Sequence, residues 1–341
     1  MATTAGAIVQ AHPSFTEPDA LIVMEQVSGY SEILGGGAPR VKISTEDQYV
    51  YMNVFDIRGN VIGSQNSTNT LPGCAITQQQ ISTPTYLMQA SSQWNGHEAA
   101  AFGQFGHSIV EAERLGNRQG FAQALRNWGL YGYNAANGEG LVNTAGAYST
   151  TLPADTFGNT SVRTYDNGLM AQYMLTQAVN VKIRMQQLGY GPNEVVILGP
   201  QRILGLWAAS IVQLTEAQRP GAGLLTTAQT FDVVAKEWGD AVAWAYDDTL
   251  IGQGAGGADL VIVAVPEFKI PKGRTTLDNT NQFATLAPNM RLTTVQYVDM
   301  AAPKEITVPL SRGATDVTYE LKATSGWGLR GEGLALLSMT Y

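Results

Sequence analysis

The chain has 341 residues, with 20 Lys and Arg against 28 Asp and Glu, a formal net charge of −8, and only 14% charged residues. That balance excludes a tightly held nucleic-acid ligand, which needs cations to displace counterions from phosphates. Soluble domains average about 25% charged residues, so a monomer of this composition would be poorly solvated, and an obligate oligomer is favoured. The length suffices for one large domain or two modest ones. The one cysteine, Cys74, permits no intrachain disulfide and no cysteine zinc site, and reads as a small apolar side chain in a loop. No apolar run approaches the ~20 residues of a membrane span. The opening MATTAGAIVQAHPSF has no basic n-region, so no signal peptide is expected and synthesis is expected in the cytoplasm.

Residues 1–39 are interrupted by Gly and Pro, end in GGGAP, and read as an extended arm with one short helix near ALIVMEQV. No Lys or Arg precedes Arg40, whereas Glu17, Asp19, Glu25 and Glu32 do, so the arm is acidic. Residues 41–62 alternate as a strand, with Val50, Met52 and Val54 on one face and Tyr49 and Tyr51 on the other. Residues 63–83 are charge-free and rich in Gln, Asn and Thr; they read as a long excursion whose end returns as a strand. So long a loop suggests a binding or interlocking role.

Residues 97–115 are helical in part, broken by Gly103 and Gly106. After Gly116, the positions of Phe121, Leu125 and Trp128 share one helical stripe. The run NAANGEGLVNTAG is a Gly/Asn-rich turn, where a domain crossing is expected. Residues 166–188 give the clearest helix: Met170, Met174, Ala178, Val181, Met185 and Leu188 form its stripe, and Gln177 lies off it. Asp166 near its start, Lys182 and Arg184 near its end, and Gly189 as a cap suit the helix dipole. A buried strand VVIL (195–198), a helix opened by Pro200, a helix over Ala228–Trp238, and strands at 241–246 and 259–267 follow. The last 50 residues return to strands: RLTTVQYVDM, KEITVPL, DVTYELKAT and LALLSMTY. A helical middle with strand-rich ends predicts an α+β chain.

Searching for chemistry yields little. Gly252, Gly254 and Gly257 match G-x-G-x-x-G, but a strand follows where a dinucleotide site needs a helix N-terminus, so the glycines read as a hairpin connection. His12, His97 and His107 have no second ligand at a metal-binding spacing. There is no G-x-S-x-G elbow and no phosphate-binding P-loop. Glu111 and Glu113, two residues apart, cannot share a helix face, and Asp247 and Asp248 read as solvated. No catalytic residue, cofactor or metal site is assigned.

The order of segments is more informative. An acidic, Arg-containing stretch, Glu111–Gly116, precedes a helix near 117–133, a Gly-rich turn, and Gly140-Leu141-Val142-Asn143. Downstream, the long helix of 166–188 leads to Pro192-Asn193-Glu194, VVIL, Gly199-Pro200 and another helix. This succession resembles the Hong Kong 97-type major capsid proteins of tailed bacteriophages, over nearly the whole chain. The resemblance implies an N-terminal arm over 1–39 and an extended loop over 40–93 that reaches a neighbouring subunit. It implies a peripheral domain from 94–139 and 293–341, with the spine helix near 117–133, and an axial domain over 140–292. Within the extended loop Tyr49, Tyr51, Asn66, Leu71, Ile76 and Gln79 are the candidate intersubunit contacts.

The implied function is a structural protein that self-assembles, through hexamers and pentamers, into an icosahedral shell around double-stranded DNA, without sequence-specific binding and without enzymatic activity. The implied partners are other copies of the chain, a portal, a scaffold and decoration proteins, with no membrane; the implied location is the virion. Encapsulin nanocompartments resemble the same pattern and stand as the alternative shell, beside an unrecognised soluble enzyme.

Overall fold

The computed structural model describes residues 29–33, 40–59, 73–104, 108–186, 195–209, 211–213, 224–226, 242–266, 296–328 and 331–341. Strands β1 (Arg40–Val41), β2 (Tyr49–Gly59) and β3 (Cys74–Asn95) precede helices α1 (Gly96–Gln104) and α2 (Ile109–Tyr131). Then come β4 (Tyr148–Thr151), α3 (Asn167–Gln186), β5 (Val195–Gly199), α4 (Gln201–Ala209), β6 (Ile211–Gln213), β7 (Leu224–Thr226), β8 (Val242–Tyr246) and β9 (Asp259–Ala264). Strands β10 (Gln296–Tyr297), β11 (Asp299–Met300), β12 (Lys304–Pro309), β13 (Ala314–Thr324), β14 (Trp327–Gly328) and β15 (Leu334–Met339) follow. The mixture is α+β, as the sequence predicts.

Two sheets carry the architecture. The first runs β1-β11-β13-β3-β2, with β12 also on β13. Helix α2 covers one of its faces, where Met88, Leu125, Val298, Leu321 and Ala323 form a small core with Phe121 and Trp128 packed against it. The second runs β4-β15-β9-β5-β8. Its strands β5, β9 and β15 are buried at every position, and α3 and α4 pack their apolar stripes into the same core. The C-terminal segment is therefore shared. Its strands β11 to β13 lie in the first sheet, but β15 pairs with β9 and β4 in the second, whereas the expected grouping put all of 293–341 with 94–139. LALLSM is apolar at alternate and intervening positions alike, as suits a strand buried on both faces.

Helix α2 is longer than its sequence reading. It starts at Ile109 because Ser108 caps it, accepting a 3.4 Å hydrogen bond from the Glu111 N–H in a Ser-x-x-Glu pattern. It then runs through Gly116, which was expected to separate two segments, and through Gly120. Phe121, Leu125 and Trp128 anchor it to the sheet, and that packing outweighs the weak helix propensity of glycine. A Cβ added at Gly120 would meet nothing within 4 Å, so Gly120→Ala is expected to raise the subunit's Tm by roughly 2 °C. Gly132, at φ +78°, ends the helix, and a Cβ there would lie 2.3 Å from the Glu139 carbonyl oxygen; Gly132→Ala is expected to lower the Tm sharply. Differential scanning calorimetry of both variants checks the pair.

Helix α3 holds its expected stripe: Met170, Met174, Ala178 and Val181 are all buried. Asp166 caps it, its Oδ1 accepting from the Leu169 N–H at 2.9 Å. Gln177 is a correction. It is buried, one turn from Met174, because α3 packs between the sheet and neighbouring segments and its covered face is wider than one stripe.

Other readings change for local reasons. Asp247 is buried and accepts from the Thr249 N–H and hydroxyl, while Asp248 accepts from the Gln201 N–H at the start of α4; both are helix caps, not solvated charges. The glycines at 252–257 do not form a hairpin, because β8 and β9 flank β5 on opposite sides and the segment crosses between them. Cys74 opens β3, opposite Gly59, and so is not in a loop. Ile33, in the 3-10 turn Gly29–Ile33, is fully buried in the second core, so the expected arm is docked by that point. The helix expected near ALIVMEQV, the Ala228–Trp238 helix and the Gly189 cap lie outside the described residues.

Candidate functional site

Strand β3 spans 22 residues and does two jobs in succession. Its second half, Thr85–Asn95, pairs with β13 inside the first sheet. Its first half, Cys74–Pro84, pairs with β2 alone, from Gly59↔Cys74 to Tyr49↔Pro84. Eleven paired positions make a two-stranded ribbon about 35 Å long. Among the described residues no third strand adds to it, so its outer backbone groups offer an open template for another chain.

Antiparallel register assigns the faces. Tyr49, Tyr51 and Ile76 share one face, with Ser82, Gln80 and Gln78 between them; Gln79 sits on the opposite face, level with Val50, Met52 and Val54. The candidate contacts therefore split. Tyr49, Tyr51 and Ile76 are 53%, 60% and 67% exposed, large apolar groups left mostly uncovered among the described residues. The two tyrosine rings lie 6.2 Å apart. Gln79 is exposed on the other side. Asn66 and Leu71 lie outside the described residues.

The ribbon's root is firmly held. Thr85 donates its N–H to the Gln48 carbonyl at 2.9 Å and its hydroxyl to the Asp47 carbonyl, and Lys322 of β13 donates to the Thr45 carbonyl at 2.9 Å. Beside it, Arg114 of α2 bridges Glu111 and Glu305, both at 2.9 Å, and so ties the helix to strand β12. Burial pushes the Glu113 carboxyl upward, against a hydrogen bond from Ser92 that draws it down. The Glu98 carboxylate nearby adds a smaller upward push.

A second surface was not found from the sequence. Phe157 is 81% exposed at the tip of the loop between β4 and α3. Asp155 holds that tip rigid: its carboxylate accepts from the N–H groups of Phe157 (2.8 Å), Asn159 (2.7 Å) and Asp166 (3.3 Å) and from the Asn159 amide (3.0 Å). Burial alone would raise the Asp155 carboxyl, but these hydrogen bonds outweigh it and hold it below the ordinary range. The ionised Asp155 carboxylate thus supports the loop at neutral pH, and that support is lost only as the pH falls through its depressed titration, below the ordinary carboxylate range. The signal was present in Asp155-Thr156-Phe157-Gly158-Asn159, a turn-forming pattern with an apolar tip. An open cavity of about 410 Å³ beside it is lined by Asp155, Tyr165, Leu169, Gln172 and Tyr173; burial raises both tyrosine hydroxyls, and the Asp155 carboxylate is already engaged by the N–H groups that order the loop. His97 is exposed, His12 and His107 lie outside the described residues, and among the described residues no three His, Cys, Asp or Glu side chains could hold a metal. No described helix is long and apolar enough to cross a membrane.

No protein-family model matches the chain, and no curated protein matches its sequence. Solved structures do match. The capsid of Myoviridae phage XM1 superposes with a TM-score of 0.65 at 12% identity, over 98% of this chain and 100% of that one. This is the Hong Kong 97-type capsid fold. The capsid of cyanophage P-SCSP1u shares it at a TM-score of 0.56 and 8% identity, covering 95% and 92% of the two chains. Microbacterium phage Oxtober96 shares it at 0.54 and 9%, covering 95% of each. The ribbon, the α2-covered sheet and the second sheet all fall within that one match.

Proposed function

We propose that this chain is a major capsid protein that assembles into a closed shell and carries no catalytic role. The observation that carries the reading is the ribbon of β2 and β3: eleven paired positions leave the body of the subunit and display uncovered apolar side chains. A ribbon of that shape gains its stabilisation from a partner's surface. The partner is another copy, because low charge and several separate exposed apolar groups, Phe157, Leu87 and Val308 among them, suit a subunit enclosed on many sides. In this reading residues 40–93 form the extended loop, the α2-covered sheet is the peripheral domain, and the second sheet, including β15, is the axial domain. The shell encloses double-stranded DNA without sequence-specific contacts, which agrees with the net charge of −8 and the acidic residues before Arg40. A portal, a scaffold and decoration proteins complete the particle, which is built in the host cytoplasm.

Sedimentation of the purified chain tests the reading: particles or rings of many subunits are expected, and a monomer at every salt and protein concentration contradicts it. The shell is held noncovalently. No lysine lies between Lys42 and Lys182, so the ribbon has no amine to join to a neighbour's amide. Boiling particles in detergent and reductant is expected to give a single monomer band, and a ladder of oligomers would refute this.

A further inference from the structure

The root of the ribbon meets the crossing between the two sheets at one half-buried polar contact. Tyr86 is placed where β3 changes partner: Pro84 is the last position paired with β2, and Tyr86 pairs with Ala323 of β13. Its hydroxyl donates to Glu139 Oε1 at 2.8 Å, and Glu139 Oε2 accepts from the Asn134 N–H at 3.0 Å. Glu139 is only 3% exposed, although it lies in the loop that carries the chain from α2 toward the second sheet. The Tyr86 ring packs 4.3 Å from Tyr133 and 5.7 Å from Trp128, at the end of α2.

The crossing itself is closed tightly. A Cβ at Gly140 would stand 2.3 Å from the Gly132 nitrogen, so the two backbones touch. Asn143 donates its amide to the carbonyls of Tyr131 (2.8 Å) and Glu139 (2.9 Å). The returning segment is bound to the same place, with the Gly140 N–H on the Gly326 carbonyl at 2.6 Å and the Ser325 hydroxyl on the Trp128 carbonyl at 3.1 Å. Tyr30 packs against both hydrophobic cores here, with Gly129 leaving room for its ring. The main chain therefore fixes the crossing whether or not Tyr86 is present. The Tyr86–Glu139 hydrogen bond adds a directional side-chain link from the ribbon's strand to that crossing, beside the ring contacts of Tyr86 with Tyr133 and Trp128.

We propose that Tyr86 and Glu139 are positioning residues that set the angle of the ribbon against the second sheet, and thereby the curvature at which copies of the subunit join. The contact is charge-assisted and its acceptor, Glu139, is buried, so it holds one geometry instead of several. Its loss leaves both cores and the backbone bonds of Thr85 at the ribbon's root intact, but removes the hydroxyl bond that sets that root against the crossing, so the ribbon leaves the subunit over a wider range of angles. A shell closes at one size only if every subunit presents the same angle, so errors in angle appear as errors in particle shape. The inference rests on the shell reading.

The test compares the full-length chain with Tyr86→Phe, Glu139→Ala and Glu139→Gln. In Glu139→Gln the amide oxygen still accepts from the Asn134 N–H, and the amide nitrogen donates to the Tyr86 oxygen, so the link survives with its direction reversed. Melting is followed on dissociated subunits, and particle diameters are read by electron microscopy. For Tyr86→Phe and Glu139→Ala, the fraction of closed, uniform shells is expected to fall about tenfold or more, the factor of one hydrogen bond to a charged group. Their Tm should shift by less than about 5 °C, and Glu139→Gln should keep uniform shells. Uniform shells from Tyr86→Phe would overturn the proposal, and so would its unfolding, which would make Tyr86 a core contact and nothing more. Absence of shells from the unmodified chain would instead sink the shell reading.

Discussion

Joining Asn53 to Gln80 by a short Gly/Ser turn is expected to give a subunit that folds and melts like the parent but builds no particles. The two residues face each other in the ribbon, so the turn leaves the remaining register from Tyr49↔Pro84 to Asn53↔Gln80 undisturbed. The excised stretch includes Ile76 and Gln79, both exposed, and none of its described side chains enters either core. Shortening a surface connection changes closure entropy slowly, by about 0.6 kcal/mol per doubling of length. The subunit's Tm should therefore move by no more than about 3 °C. Assembly loses much more. The ribbon's open edges and its exposed Ile76 repeat in every subunit, and each copy forfeits main-chain hydrogen bonds together with buried apolar area. Circular dichroism and melting report on folding, and particle yield by sedimentation reports on assembly. Normal particles from the shortened chain would remove the ribbon's role; an unfolded product would place it in the subunit core.

Met174→Asp is expected to abolish soluble, folded protein. Met174 is fully buried at the centre of the larger core, between α3 and the second sheet. The substitution removes an apolar side chain, at about 2–5 kcal/mol, and buries a carboxyl group with no partner, at several kcal/mol more. Together these rival the roughly 5–15 kcal/mol that stabilise an ordinary domain. Met174→Leu keeps the volume and should cost less than about 1.5 kcal/mol. Asn180→Asp, on the exposed face of the same helix, should change the Tm little. Soluble yield and melting of the three variants check the set; equal behaviour of Met174→Asp and Asn180→Asp would refute the packing of α3.

How much of this was legible follows from the physics of each element. Helix α3 and strand β5 were readable because burial on one face, or on both, writes itself directly into apolar spacing. The alternation of Tyr49 and Tyr51 against Val50, Met52 and Val54 gave the ribbon's faces for the same reason. The full length of α2 was not readable, because Gly116 and Gly120 punctuate it locally and only tertiary packing carries it through. The placement of β15 in the second sheet depends on pairing with strands some 75 to 185 residues earlier, which no local pattern encodes. Asp247 and Asp248 looked like ordinary surface acids because a cap and a solvated carboxylate have the same composition; their N–H partners distinguish them only in space. Segment order carried the fold even where identity to solved capsids is 8–12%, since layers and crossings constrain order more tightly than they constrain residues.

Electron microscopy of the purified, overexpressed chain bears most directly on the central claim. Closed particles of uniform diameter, with rings of subunits in their walls, are the predicted result. A preparation that stays monodisperse and monomeric across salt and concentration, with no rings, sheets or shells in any field, would contradict it.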